Sequence, residues 1–205
     1  MPPGPPPPRV RWVPVIPGPR DENDPGPAAP PDPVTAWALA ARSGDPVAQA
    51  AFVRATQAEV WRFTAALVDA GSADDLTQET YLRAFRALPG FAGRSTARTW
   101  LLGIARRACA DHLRTVVRQR RLAVRLTADG YARGDQPDAT GQLGAADLLG
   151  RLAPQRREAF ALTQVIGLSY AEAAEVIGVP VGTIRSRVAR ARADLVAAVT
   201  AAQAS

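Results

Sequence analysis

Prolines are concentrated at one end of this chain, and their position limits what that end can fold into. Fourteen of the 19 prolines lie in the first 33 of 205 residues. Proline has no backbone N–H and a fixed φ, so such a run cannot join a helix or a β-ladder. We expect residues 1–33 to be a disordered, locally extended tail. Trp12 could anchor the tail to a partner, and a tail without a function is the simpler alternative.

The rest of the chain has the pattern of helices. From Val34 onward apolar residues recur at helical spacing, and no stretch alternates as a half-buried strand does. The sequence therefore predicts an all-α protein, with breaks at caps and turns such as Asp45-Pro46, Gly71-Ser72 and Pro89-Gly90. Residues 127–145 show no period and indicate a flexible linker. The predicted helices cover approximately residues 34–42, 45–69, 74–88, 99–121, 146–152, 154–166, 169–177 and 181–198.

Charge points to a polyanionic partner. All 25 basic residues are arginine, the formal net charge is +6, and eleven arginines lie between residues 83 and 125 against one acid, Asp111. Nucleic acid is the first candidate. One cysteine, Cys109, and one histidine, His112, exclude an internal disulfide and the usual zinc sites, so we expect no metal and no cofactor. No apolar run is long enough for a bilayer or a signal core, which predicts a cytoplasmic protein without membrane insertion.

The segment from Gly167 to Arg187 carries the strongest local pattern. Ser169 and Glu172 have capping-box spacing, and Gly178-Val179-Pro180 separates two short helices. This is the pattern of a helix-turn-helix, whose second helix normally enters the major groove. A solvated basic face on an ordinary helical hairpin is the alternative. Apolar residues form one stripe of the second helix and polar residues flank it: Ile184, Val188, Ala191 and Leu195 inside, Thr183, Ser186, Arg187 and Arg190 on one flank, Arg185 and Arg192 on the other.

Two further regions fit nucleic acid or a partner protein. Four arginines of the fourth predicted helix fall on one face, where they could follow phosphates. The preceding segment Phe91–Trp100 alternates aromatic, small and arginine residues that could contact an extruded base, although a lone Trp100 also fits a core position. The polar face of the third helix suits either its own dipole or a partner helix, and physical reasoning leaves both open. The four arginines are Arg107, Arg114, Arg118 and Arg121.

Two other functions fit parts of this pattern. An operator-binding regulator would use the helix-turn-helix alone, but it leaves the third helix and the segment before the fourth unexplained. An enzyme acting on nucleic acid would need an acid–base pair, a metal set or a phosphate loop. Asp74 and Asp75 are adjacent and diverge on a helix, and His112 stands alone, so we expect no enzyme.

Three motifs in order resemble the successive signatures of bacterial extracytoplasmic-function (ECF) RNA polymerase sigma factors: Asp74–Tyr81, Arg98–Arg106 and Leu168–Arg187. The resemblance implies a sigma-2 helical bundle over 34–125, a linker over 126–146 that leads toward the RNA exit path, and a sigma-4 helix-turn-helix domain over 147–205. It implies a protein that binds core RNA polymerase and directs promoter-specific initiation. Such a protein reads the minus-thirty-five element and recognises and melts the minus-ten element.

The resemblance also implies roles for particular residues. The expected partners are promoter DNA and core polymerase, through its β′ clamp helices and β flap. Clamp-helix docking is implied for Asp75, Gln78, Glu79 and Arg83. Minus-ten contacts are implied for Phe91, Arg94, Ser95, Thr96, Arg98, Thr99, Trp100, Arg106, Arg107, Asp111 and Arg114. Minus-thirty-five contacts are implied for Thr183, Arg185, Ser186, Arg187 and Arg190.

Two features depart from the family pattern. The proline-rich tail is not part of the common core, and the chain ends soon after the second helix of the hairpin, without room for an appended sensing domain. Regulation is then expected from expression, proteolysis or a separate partner such as an anti-sigma factor. Because the core enzyme would set the spacing of the two DNA-reading domains, we expect the free chain to bind promoters weakly.

Overall fold

The computed structural model describes residues 31–127 and 144–203, and within these ranges every regular element is helical. This confirms the all-α class. The predictions for the tail up to residue 30 and for linker residues 128–143 lie outside the described residues. A 3₁₀ turn spans Leu88–Gly90 and a π turn spans Ala161–Val165. The α-helices are α1 (Pro33–Ala41), α2 (Pro46–Leu67), α3 (Ala70–Ala87), α4 (Ala97–Thr127), α5 (Ala145–Gly150), α6 (Pro154–Phe160), α7 (Tyr170–Ile177) and α8 (Val181–Gln203).

Aspartate side chains cap the N-termini of the first two helices. The Asp45 carboxylate accepts a hydrogen bond from the Val47 N–H at 2.9 Å, and Pro46 occupies the first helical position of α2, as predicted. Asp32 caps α1 in the same way by accepting from the N–H groups of Val34 and Thr35, each at 3.1 Å. These caps satisfy backbone donors that a helix start otherwise leaves unpaired.

Four predicted helix boundaries were wrong, among them the end of the last helix, α8, which runs past residue 198 to Gln203. Helix α3 begins at Ala70, before the expected break at Gly71-Ser72, because Asp69 caps it by accepting from the Ser72 N–H at 2.9 Å. Helix α4 runs past Arg121 to Thr127, into the predicted linker. The helix predicted over 154–166 is divided, because the Ile166 N–H bonds the Ala161 carbonyl five residues back at 3.0 Å and widens the last turn.

The N-terminal helices α1–α4 pack around large, fully buried side chains, among them Phe52, Phe63 and Leu101. Helices α6–α8 bury Leu162, Ile184 and Val188. Helices α2 and α4 contact α6, the π turn and α7, so the buried apolar residues of the two groups form one cluster. The face of α4 that carries several predicted DNA contacts is therefore also a packing surface.

Candidate nucleic-acid interface

Helices α7 and α8 form the predicted helix-turn-helix. Ser169 Oγ accepts from the Glu172 N–H at 3.2 Å, and Glu172 Oε2 accepts from the Ser169 N–H at 2.8 Å, which completes the capping box. The hydrogen bonds from Ser169 hold the pKa of Glu172 below its usual value. Helix α7 ends at Gly178, whose φ of +78° is left-handed, where a Cβ would strain the backbone.

Helix α8 presents a basic face formed by Arg185, Arg187 and Arg190, while Arg192 on the other flank donates to Gln164 Oε1 at 2.8 Å. Ile184 and Val188 hold the helix in the core at 0 % and 1 % exposure, as the predicted stripe requires. Arg185, Ser186 and Arg190 are exposed, and Thr183 and Arg187 are half-buried. Among residues 31–127 and 144–203, no carboxylate lies within 4 Å of the guanidinium groups of Arg185, Arg187 and Arg190. These arginines are available for a ligand outside the chain.

A second exposed basic face runs along α4. The side chains of Arg107, Arg114, Arg118 and Arg121 are all exposed, and Leu101, Ile104, Ala105 and Ala108 on the opposite side are buried. Only Arg114 of the four has a carboxylate partner in the described part of the chain, Asp111. A row of exposed arginines on one helix face can contact backbone phosphates.

The segment before α4 has some side chains buried in the core and others exposed at the surface. Phe91 is 3 % exposed and packs on Trp100 with ring centroids 4.8 Å apart, so these aromatic residues hold the segment against the core. Thr99 is also buried, and its N–H donates to Thr96 Oγ1 at 3.1 Å in the first turn of α4. Arg94 and Thr96 are exposed, and Ser95 is half-buried.

Arg98 is held by two parts of the chain. Its Nε donates to both Glu59 carboxylate oxygens, at 2.8 and 2.9 Å, and Nη2 donates to the Ile166 carbonyl at 2.8 Å. The hydrogen bonds to Glu59 raise the pKa of Arg98 above its usual value. Glu59 belongs to α2 and Ile166 follows the π turn, so this arginine joins the N-terminal and C-terminal helices.

Two further arginines make contacts of the same kind. Arg106 Nε lies 3.2 Å from Glu158 Oε2 on α6, although this buried N–H is not aligned to donate a hydrogen bond to any described residue. Arg157 on α6 donates from Nε to the Ala66 carbonyl at 2.6 Å and from Nη2 to the Val68 carbonyl at 3.3 Å. Burial lowers the pKa of Arg157. Glu158 and the Ile166 carbonyl therefore hold Arg106 and Arg98, to which the sequence assigned DNA contacts, and α7 also packs on α4.

The polar face of α3 is only partly open. Asp75 and Gln78 are exposed, whereas Glu79 accepts from Arg83 Nε at 2.7 Å. Arg83 Nη1 also donates to Asp111 Oδ2 on α4 at 2.6 Å. Sequence reasoning assigned Arg83 and Asp111 to different interfaces, and the structure joins them.

Sequence reasoning missed Glu59 and Glu158, the carboxylates that hold Arg98 and Arg106. Glu59 and Arg98 are 39 residues apart, and neither has a local pattern that predicts the other. Within the described ranges, no group of three His, Cys, Asp or Glu side chains could hold a metal ion. None of the helices in those ranges is long and apolar enough to cross a membrane.

Comparison with known proteins follows the same two-part division. The family profile of Sigma-70 region 2 matches residues 52–121, and the profile of Sigma-70 region 4 matches residues 144–195. The chain is 53 % identical over 171 residues to the ECF RNA polymerase sigma factor SigC of Mycobacterium tuberculosis, across 80 % of this chain and 90 % of SigC.

Solved structures show a similar fold. The structure of CnrH in complex with the cytosolic domain of CnrY has a TM-score of 0.62 at 27 % identity, covering 82 % of this chain and 97 % of CnrH. The sigma factor RpoE of Bartonella quintana, in complex with the anti-sigma factor NepR, has a TM-score of 0.53 at 28 % identity, covering 70 % of this chain and 91 % of RpoE. These likenesses extend over both helical groups.

Proposed function

Because this chain belongs to the extracytoplasmic-function (ECF) family of RNA polymerase sigma factors, we propose that its exposed surfaces divide promoter recognition among α3, α4 and α8. The chain binds core RNA polymerase and promoter DNA and directs promoter-specific transcription initiation. Family membership sets aside the operator-binding regulator considered from the sequence. The observation that carries the division of roles is the basic face of α8 on a capped helix-turn-helix, whose arginines pair with no carboxylate of the described residues.

The face of α8 reads the minus-thirty-five element in this proposal. Arginine forks suit guanine edges in the major groove, and hydroxyl groups contact bases or phosphates. Ser186 Oγ already donates to the Thr183 carbonyl at 3.0 Å, so its lone pairs remain available as acceptors. The proposed contact residues are Thr183, Arg185, Ser186, Arg187 and Arg190.

The minus-ten element meets α4 and the segment before it. Arg94 and the neighbouring hydroxyls of Ser95 and Thr96 would receive an unstacked base, and buried Phe91 and Thr99 would support that segment from below. Exposed Arg107 and Arg114 would contact phosphates. Trp100, half-buried beside Phe91, would lie at the upstream edge of the melted region.

Two of the proposed minus-ten arginines are held by contacts between α4 and residues 157–166. Arg98 and Arg106 contribute to minus-ten binding only after their contacts with Ile166 and Glu158 are exchanged for DNA. A guanidinium that bonds a carboxylate or carbonyl inside the chain has fewer donors for phosphate. We infer that residues 157–166 and α7 leave α4 together when the promoter is engaged, which agrees with the expected weak binding by the free chain.

Two parts of the chain dock on the polymerase in this proposal. Helix α3 binds the β′ clamp helices through Asp75, Gln78, Glu79 and Arg83. Residues 147–205 bind the β flap. The domain boundaries 34–125, 126–146 and 147–205 remain part of the proposal. The polymerase makes the RNA, so we expect no catalytic activity of the chain itself. Its place of action is then the cytoplasm, and an anti-sigma factor is a candidate regulator, as NepR is for RpoE.

Run-off transcription tests the proposal. Core polymerase is supplied with fragmented genomic DNA, with and without the chain, and we expect discrete new start sites that depend on it. Arg187→Ala should weaken these starts, whereas Arg62→Ala, a change at an exposed arginine of α2, should not. A stable complex with core polymerase that gives no new start, or starts indifferent to Arg187, would contradict the proposed roles.

A further inference from the structure

Asp111 lies at the centre of an ion network that connects α3 to α4. Its Oδ2 accepts from Arg83 Nη1 at 2.6 Å, and its Oδ1 pairs with Arg114 Nη2, so the two oxygens hold different arginines. Arg83 in turn donates to Glu79 one turn earlier on α3, at 2.7 Å. The hydrogen bond from Arg83 lowers the pKa of Asp111 below its usual value.

The network joins residues that the proposed function assigns to different partners. Glu79 and Arg83 belong to the polymerase-docking face, and Arg114 belongs to the exposed basic face of α4. The side chain of Arg114 is 76 % exposed, and Nε donates to the Ala110 carbonyl at 3.3 Å while Nη2 pairs with Asp111, which leaves Nη1 without a partner among the described residues. With Arg118, Asp111 and Arg114 line a surface concavity of about 410 Å³.

A direct DNA contact by Asp111 is physically unfavourable in this arrangement. Its charge would repel nearby phosphates, which carry the same sign. An aspartate can accept from a cytosine amino group in the major groove, but each Asp111 oxygen already accepts from a guanidinium group, which occupies part of its acceptor capacity and neutralises much of its charge. Two arginines and one aspartate leave the concavity with a net positive charge, which suits one phosphate.

We propose that Asp111 is a positioning residue that holds Arg83 for the polymerase and Arg114 for a promoter phosphate, and that it contacts neither partner itself. This inference rests on the proposed function and changes the role that the resemblance implied for Asp111. A single carboxylate then orients both contact surfaces, so its loss affects core binding and promoter binding together. A residue that touched only DNA would affect promoter binding alone.

Two measurements on the full chain test this role: its affinity for core polymerase, and the salt dependence with which the assembled holoenzyme binds promoter DNA. Asp111→Asn should weaken core binding about two- to fivefold, the range that one partly exposed ion pair provides. It should also reduce the slope of log affinity against log salt by about 0.7 to 0.9, the contribution of one phosphate contact. A general loss of stability would lower the melting temperature without changing that slope.

Double variants separate positioning from direct contact. If Asp111 acts through its arginines, Asp111→Asn should add nothing to the core-binding defect of Arg83→Ala or to the slope change of Arg114→Ala. The matched control is Asp45→Asn, the same substitution at an exposed aspartate that caps α2 and lies on neither proposed surface. Asparagine also caps a helix, so this variant should leave both measurements unchanged.

Three results would overturn the inference. These are additive defects, a change of base preference with unchanged core affinity, or defects in proportion to a lowered melting temperature at constant salt slope. If the wild-type chain bound core polymerase but produced no promoter-specific start, the proposed function itself would fail. That outcome is distinguishable, because it appears without any substitution at Asp111.

Discussion

Replacing Arg157 with methionine should loosen the contact between α6 and the end of α2. The guanidinium donates at 2.6 Å to the Ala66 carbonyl and at 3.3 Å to the Val68 carbonyl, and methionine keeps much of the chain length without these donors. A hydrogen bond from a charged group contributes about 1.5–3 kcal/mol, and the longer bond adds little. In the wild type, the half-buried Arg157 charge regains water when α6 separates from α2, and this hydration offsets part of the lost hydrogen-bond energy. We therefore take the net contribution of Arg157 to the contact as about 1.5 kcal/mol.

That loss changes how readily the minus-ten surface is exposed. If the closed arrangement dominates in the free chain, an energy of about 1.5 kcal/mol raises the open fraction about tenfold. The apparent affinity for DNA rises in the same proportion, because it scales with the binding-competent fraction. We therefore expect free Arg157→Met protein to bind a single-stranded minus-ten oligonucleotide about tenfold more tightly than the wild type.

Fluorescence anisotropy of a labelled oligonucleotide at fixed salt measures this change. Arg156→Met is the matched control, because Arg156 is the neighbouring residue of α6 but pairs with Asp194 within the C-terminal helices. Thermal unfolding of each variant shows whether the fold is retained. An affinity equal to that of the wild type in a folded Arg157→Met protein would refute the inference that residues 157–166 restrict the minus-ten surface.

Three shorter predictions concern other parts of the chain. Arg187→Ala should cost about 1–3 kcal/mol of holoenzyme affinity at the minus-thirty-five element, measured by competition between promoter variants, and equal loss on all sequences would argue against base reading. Glu172, whose pKa lies below 4.5 because Ser169 hydrogen-bonds to it, stabilises the fold above that pH, and this stabilisation is lost as pH falls through the lowered pKa. Glu172→Gln should flatten the acid limb of a plot of unfolding free energy against pH. Phe52→Ala should destabilise the fold by about 3–5 kcal/mol in urea unfolding, against less than about 0.5 kcal/mol for the exposed Val47→Ala control.

Helix positions were predictable where the signals are local. Asp45-Pro46 starts α2, and the capping box of Ser169 and Glu172 starts α7, because each cap bonds backbone groups two or three residues away. The errors in helix boundaries also have local causes, since a cap and a helix breaker can lie within two residues of each other. Gly71 is tolerated inside α3 because Asp69 caps the helix before it, and the π turn arises from one altered backbone bond at Ile166.

The sequence by itself determined the all-α class, the capped helix-turn-helix and the arginine faces of α4 and α8, because caps, breakers and helical periodicity act over a few residues. The tertiary structure alone decided which charged groups are free. Arg98 meets Glu59 across 39 residues, Arg83 meets Asp111 across 28, and Arg157 meets the Ala66 carbonyl across 91. Such pairs depend on how whole helices pack, and each of these arginines looks in the sequence like any other exposed cation.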